Sequence, residues 1–380
     1  MPIVDGVRGD APFTVAHGAA EDWAHAAQGC ADGLADAPGA PNIGFLYVSD
    51  LLAEDVASIL AYLRQKTGVE HWVGSVGIGV LAGNAVYVDR PAVVAMVGQV
   101  PEAGFCVFPS IAKSVDELSP EHRSWIERQP LLVGIVHGDP QNERAPALIT
   151  EMAERTAGFL VGGLTSSRSA HHQVAGRVTG GGVSGVLFTP DVGLQTALTQ
   201  GCVPIGVSHL VSDCVDNVVI GLDGRRALDV LKEDIGPALA ADLNRIAGRI
   251  HAALPLPGSD TCDYMVRNLI ALDRMHGWLA IGSGIEAGDR LMFVRQDVEA
   301  ARENMTVMVA GLKRRLSAPP RGGVYFSCVA RAPGVPGGLK DELATIRDAL
   351  GPFPVVGMYC NGEISNGRLY GYTGVLALFT

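Results

Sequence analysis

No Cys-x-x-Cys pair occurs in the chain, and its seven cysteines, at 30, 106, 202, 214, 262, 328 and 360, are odd in number and widely spaced. Such spacing argues against a disulfide framework or a structural zinc site and suits a reducing compartment. Basic charge is also scarce: 29 Lys and Arg stand against 40 Asp and Glu, for a net charge of −11. Nucleic acid and anionic membrane are therefore poor partners, because phosphate binding needs a dense basic patch. The one basic run, Lys313-Arg314-Arg315, reads as a helix end that complements the helix dipole. No apolar run reaches the roughly 18 residues of a membrane span, and no basic segment leads into an apolar one near Met1. A cytoplasmic location is the expectation.

Apolar residues are abundant, at 48% of the chain, as is glycine with 48 residues. A mean hydropathy of +0.23 leaves ample surface to bury, so the chain is globular. Its 380 residues exceed one ordinary core, which predicts two domains or two joined halves.

A repeat runs through the chain. Three segments share one order: an apolar lead strand, a helix, a strand opening on Val-Gly, and a closing apolar strand. The first runs from Gly44 through a helix near 53–66 to Val73-Gly74 and closes at 92–98. The second runs from Leu131 through 144–157 to Val161-Gly162 and closes at 183–189. The third runs from Gly322 through 339–350 to Val356-Gly357 and closes at 371–380. Each reads β-α-β-β, and none can bury its own strand faces alone, so the units must share sheets. The fold class is α/β, mixed α+β, with repeated β-α-β-β units in two intimately packed sheet-and-helix halves. The expected domains are an N-terminal helical segment over 1–40 and two larger parts over 41–230 and 231–380.

Local signals fill in the rest. Ser49 or Asp50 is placed to cap a helix over 51–66, whose Val56, Ile59, Leu60 and Leu63 recur at helical spacing. A helix is expected around 226–254, and another from Asp297 to Leu316 before Pro319-Pro320. Residues 166–182 are polar and Gly-rich and read as an exposed loop. Gly74-Ser-Val-Gly-Ile-Gly79 and Gly180-Gly-Gly-Val-Ser-Gly185 lack the strand-loop-helix setting of a phosphate cradle.

The third repeat carries the candidate site. Its strands stop at polar residues, which brings Cys328, Arg331, Cys360, Asn361, Gly362 and Glu363 to strand ends, where ligands are commonly held. Ser75, His137, Thr165 and Arg168 stand at the equivalent ends of the first two repeats and would complete a cleft. Arg331 suits bidentate recognition of a carboxylate, or an internal ion pair with Glu363 or Asp341. Gly362 permits a positive φ that turns the Glu363 carboxylate inward, toward a ligand ammonium or toward backbone N–H groups. Cys328 reads either as a small core residue or as a thiol activated by Arg331. No adjacent base supplies general-base help, so catalysis is not expected. His137, His171, His172 and His209 are the candidate axial ligands of a haem iron, but no set of His, Cys and carboxylate has metal-ligand spacing.

Together these pieces resemble a FIST domain, the sensory module named for F-box and intracellular signal transduction proteins. Val161-Gly-Gly, Gln200-Gly-Cys-Val-Pro-Ile-Gly206 and Leu222-Asp-Gly-Arg-Arg carry the N-terminal part; Ser327-Cys328, Arg331 and Gly362-Glu363 carry the C-terminal part. The resemblance implies an intracellular sensor of a small ligand, amino-acid-like or a small carboxylate, that signals through a partner protein. With no metal-ligand spacing in the sequence, no resident metal or cofactor is expected as the first reading. Haem-based sensing of nitric oxide is the alternative, and a thiol-dependent enzyme using Cys328 is the second alternative.

Overall fold

The computed structural model describes residues 13–256, 263–331 and 338–380. It is mixed α/β, as expected, and divides into two compact units. One, the core unit, comprises the chain up to residue 199 with 304–369 and 373–380; the other comprises 200–303 with 370–372.

The core unit contains all three repeats, and each forms the centre of a six-stranded sheet. Their lead strands are Ile43–Ser49, Val133–Gly138 and Gly322–Cys328. Each pairs in parallel with its Val-Gly strand, respectively His71–Gly77, Phe159–Leu164 and Val355–Cys360. On its other side each lead strand pairs antiparallel with its closing strand, Val93–Gly98, Val183–Phe188 or Thr373–Phe379. Val73, Val161 and Val356 are fully buried on central strands, because each Val-Gly strand has neighbours on both sides.

The Val-Gly signature has one physical cause in all three places. A Cβ on Gly74 would lie 1.7 Å from the Leu46 carbonyl oxygen. At Gly162 and Gly357 it would lie 1.8 Å from the carbonyl oxygens of Val136 and Tyr325. Only glycine lets the lead strand approach this closely.

The units exchange strands in a ring. After its Val-Gly strand each repeat forms a short strand that joins the sheet of another repeat. Gly79–Ala82 of the first pairs with Val355–Cys360 of the third. Gln173–Ala175 of the second pairs with His71–Gly77 of the first. Glu363–Ser365 of the third pairs with Phe159–Leu164 of the second. Each exchange satisfies the edge of one sheet with backbone from the next repeat, which gives the core unit a pseudo-threefold arrangement. One face of each sheet enters a shared core containing Phe45, Ile135, Val324 and Phe379. The opposite faces are covered by helices, including Val56–Thr67, Ala145–Arg155 and Leu339–Leu350.

The second unit is built differently. A path of antiparallel pairings runs through Ile250–Pro255, Tyr264–Asp273, Trp278–Ile281, Val218–Leu222, His209–Val215 and Arg290–Gln296, and returns to Ile250–Pro255. The ring encloses Val219, Leu279, Ile281 and Phe293 against the helix Ala227–Ala240.

Several local expectations are corrected. The helix expected over 51–66 begins at Val56, behind a 3-10 segment Asp50–Asp55, because Ser49 and Asp50 are used elsewhere. Ser49 accepts a bond from the Ala92 N–H, and Asp50 holds Arg168. The helix expected over 226–254 stops at Ala240 after a break at Gly236-Pro237; Ile250–Pro255 is a strand. Gly236 sits at φ 77°, outside helical space, and Pro237 cannot donate the next helical bond. The loop expected over 166–182 contains two strands, Gln173–Ala175 and Arg177–Thr179. The helix expected from Asp297 to Leu316 is present as Val298–Arg315.

Candidate functional site

Tyr47, His137 and Phe326 occupy equivalent places on the three lead strands, and their rings meet near the pseudo-threefold axis. Ring centroids lie 5.6 Å apart for Tyr47 and His137, 6.1 Å for Tyr47 and Phe326, and 5.8 Å for His137 and Phe326. Strand register extends each ring into a row of side chains on one sheet face. The rows are Val94–Tyr47–Ser75–Gln173, Ser184–His137–Gly163–Glu363 and Val375–Phe326–Met358–Val80.

The third row is wholly apolar, as a core position should be. The second places Ser184, His137 and Glu363 at the same depth, each with no exposed surface. Part of this polarity is matched across the sheets. Tyr47 Oη and His137 Nε2 share a hydrogen bond of 3.1 Å, Ser184 Oγ donates to Gln173 Oε1 at 2.5 Å, and Gln173 Nε2 donates to the Gly182 carbonyl at 2.9 Å. Ser75 Oγ and Thr165 Oγ1 lie 2.7 Å apart. Ser166 Oγ donates to the Tyr359 carbonyl at 2.6 Å.

Within this row two buried side-chain atoms have no hydrogen-bond partner among the described residues: His137 Nδ1 and Glu363 Oε1. Burial holds the His137 imidazole neutral, with its pKa pulled down to about 3. Burial likewise pushes the Glu363 carboxyl up to about 8, against the opposing pull of two Thr373 bonds to Oε2, at 2.8 Å from Oγ1 and 3.2 Å from the backbone N–H. The Arg331 charge and a hydrogen bond with the Cys328 side chain pull in the same direction as Thr373. At neutral pH Glu363 is therefore mostly a protonated acid.

Gly163 stands between His137 and Glu363 in the row, and the space above it holds the Cys360 side chain. A Cβ at Gly163 would lie 2.2 Å from Cys360 Sγ. Cys360 and Cys328 are register partners on neighbouring parallel strands. Burial, with Glu363 and Cys328 nearby, carries the Cys360 thiol well above its usual pKa, so it is a neutral thiol rather than a nucleophilic thiolate. Gly362 adopts φ 134°, the positive value expected of the turn that aims Glu363 inward.

Cys328, Cys360, Glu363 and His137 thus converge, with Ser75 and Thr165 on the same buried layer. Asn361 is exposed, and its N–H donates to the Leu164 carbonyl. Arg168 is bound by Asp50, at 2.6 Å from Nε and 2.8 Å from Nη2, and by Asp89 at 2.7 Å from Nη1. Arg331 is buried against Glu342, with Nε and Nη2 both 2.5 Å from Oε1. Its ion pair is with Glu342 on the following helix, one position beyond Asp341. Glu342 Oε2 also accepts from Tyr325 Oη and Ser327 Oγ, each at 2.9 Å.

Sequence reasoning did not pick out Tyr47, Gln173, Ser184 or Glu342. Aligning the repeats on their Val-Gly strands would have found Tyr47, which is equivalent to His137; Gln173 takes the place of Glu363 only through the strand exchange. The candidate haem ligands are differently placed. His209 has both ring nitrogens on carboxylates, at 2.6 Å from Asp223 and 2.9 Å from Asp234. His137 lies between aromatic rings with Nε2 on Tyr47. Among the described residues, no group of three or more His, Cys, Asp and Glu is arranged to hold a metal ion. None of the six described cysteines is in a disulfide; Cys262 lies outside the described residues. No helix among the described residues is long and apolar enough to cross a membrane.

Comparison with known proteins agrees with the motifs. An uncharacterised protein of Mycobacterium tuberculosis is 27% identical over 381 residues, covering 96% of each chain. An uncharacterised protein of Mycobacterium bovis is 24% identical over 360 residues, covering 90% of this chain and 91% of its own. The family model of the FIST N domain matches residues 42–225 and that of the FIST C domain matches 227–366, so Gly163 and Glu363, paired in one sheet, come from different family segments. The chain belongs to the FIST family, whose domains are generally small-ligand sensory domains.

Proposed function

We propose that this protein senses a small amino-acid-like ligand at the buried row Ser184–His137–Gly163–Glu363 and passes the signal to a partner protein in the cytoplasm. The observation that carries this reading is the pair of unpartnered atoms, His137 Nδ1 and Glu363 Oε1, on two fully buried side chains flanking one glycine. Buried polar groups are nearly always hydrogen-bonded, so two orphans in one row call for a ligand or water. The equivalent apolar row shows that folding does not require polarity there.

Glu363 is the acceptor for a ligand ammonium, with Ser75, Thr165 and the Cys328–Cys360 pair in the surrounding buried layer. A cationic group beside the carboxyl would favour its ionised form, so binding converts a neutral acid into an ion pair. With Arg331 held by Glu342, the ligand's recognition centres on Glu363. Haem fits His209 and His137 poorly, since both ring nitrogens of His209 and Nε2 of His137 are already bonded and His137 is enclosed. Catalysis by Cys328 would need a base, and the nearby Glu363 is itself held as an acid.

A thermal-shift screen of the whole protein against amino acids, simple amines and small carboxylates tests the reading. A ligand at a hundredfold excess over Kd stabilises by about 2.7 kcal/mol. An amine-bearing compound should raise the melting temperature of wild type and not of Glu363→Gln. Stabilisation by the same compound to the same extent in both would remove Glu363 from the site.

A further inference from the structure

His209, in the second unit, is bonded at both ring nitrogens to carboxylates from different elements. Nδ1 lies 2.6 Å from Asp223 Oδ2, in the turn after Val218–Leu222, and Nε2 lies 2.9 Å from Asp234 Oδ2, on the helix Ala227–Ala240. A neutral imidazole carries one N–H, whereas ionised carboxylates only accept. With one proton on the ring, a lone pair would face a carboxylate oxygen at hydrogen-bonding distance. The geometry therefore describes an imidazolium donating to both sides.

We propose that His209 is a pH-responsive staple that fastens the helix Ala227–Ala240 to the strand His209–Val215 and the adjoining turn. Protonated, it joins three elements through two charge-assisted bonds. Deprotonated, it keeps one donor, and the contact on the other side becomes repulsive.

Its surroundings concentrate the effect. The His209 side chain is 8% exposed and Asp234 14%, while Asp223 is 49% exposed. A Cβ at Gly206 would lie 2.2 Å from Asp234 Oδ2, so the preceding loop passes directly over the contact. Asp223 also accepts the Leu210 N–H at 2.8 Å, which fixes the turn to the strand independently of the ring. The other charged groups are Glu233, which acts on the system while paired with Arg225, and Arg290, which attracts Asp223 from the strand Arg290–Gln296. Phe293 faces the ring from the same strand, with centroids 6.4 Å apart. Two residues beyond Asp234 the helix breaks at Gly236. Asp234 is thus in the last intact turn before the break.

Burial disfavours the charged ring, but the bonds to Asp223 and Asp234 outweigh it and raise the His209 pKa. Because the folded value lies above the ordinary 6.5, the fastening is complete below pH 6.5 and is lost as pH rises through the folded value. At the acid end it needs ionised carboxylates. Asp223 is held below its ordinary 3.8, so its contact persists until pH falls through that lowered value.

Hydrogen exchange of the full chain, corrected for intrinsic rates, tests this through amides 227–235. Raising pH from 6 to 9 should lower their protection about tenfold, the lower end for one charge-assisted bond, with little change in the amides of Val56–Thr67. His209→Gln should abolish the pH dependence. Should that variant fail to fold, the carbon-bound ring resonances of wild-type His209 decide: the staple requires a midpoint above that of free histidine. A midpoint at or below that value, or protection independent of pH in wild type, would overturn the proposal.

Discussion

Gly163 and Glu363 stand directly opposite each other across an antiparallel strand pair, although 200 residues separate them in the chain. This pairing brings the second repeat's Val-Gly strand and the third repeat's Gly-Glu turn into one sheet. It also sets a titratable side chain where the equivalent position, Val80, is apolar. Four consequences are measurable.

The Glu363 acid is the first. Its folded pKa, about 8, lies above its ordinary 4.5, so the unfolded chain ionises first and wild-type stability falls as pH rises from 4.5 to 8. Glu363→Gln keeps an acceptor for Thr373 and has no charge to bury. Urea titrations should find the variant gaining on wild type across this window, by an order of a few kcal/mol above pH 8. A pH-independent difference would mean that Glu363 titrates normally.

His137 has the opposite signature. Its folded pKa of about 3 lies below the ordinary 6.5, so wild type loses stability as pH falls from 6.5 toward 3. His137→Phe copies Phe326 of the equivalent row and should flatten this acid limb. It also deprives Tyr47 Oη of its partner, at a cost of about 1–3 kcal/mol near pH 7. Chemical denaturation at pH 4 to 7 separates the two effects.

Arg331 and Glu342 form an ion pair whose side chains are 6% and 3% exposed. Glu342→Gln leaves the guanidinium short of its counter-charge and should destabilise by about 3–5 kcal/mol. Arg331→Lys retains the charge but loses the two-nitrogen contact, for about 1–3 kcal/mol. Equal stability of Arg331→Lys and wild type in urea would show that the two-nitrogen contact adds nothing beyond the charge.

The repeat glycines give a steric test. Gly74→Ala and Gly357→Ala each force a Cβ to within 1.8 Å of a lead-strand carbonyl in a central strand, which should cost about 3 kcal/mol or more. Gly311→Ala, in the helix Val298–Arg315 with its nearest neighbour atom at 3.9 Å, should instead stabilise by about 0.5–1 kcal/mol. Similar outcomes for the three variants would contradict the close approach. At Gly163 the obstacle is the end of the Cys360 side chain, so Cys360→Ala should partly rescue Gly163→Ala.

The three β-α-β-β repeats, their central Val-Gly strands and the long helix before Pro319-Pro320 were legible in the chain because they rest on local periodicity and on glycine at a fixed strand position. Gly362 was legible too, since a turn of that kind needs a positive φ wherever it occurs. Other features depend on which segments meet. The exchange of strands around the ring, the burial of Gln173 within an apparent loop, and the inward turn of Glu342 toward Arg331 have no local signal. Asp341 and Glu342 are adjacent carboxylates on one helix, and only the sheet beneath selects which of them is turned inward. In the same way, nothing near Glu363 in the chain makes it a neutral acid. That follows from its burial where the sheets of the second and third repeats meet, since removal of water costs the charged form more than Thr373 returns.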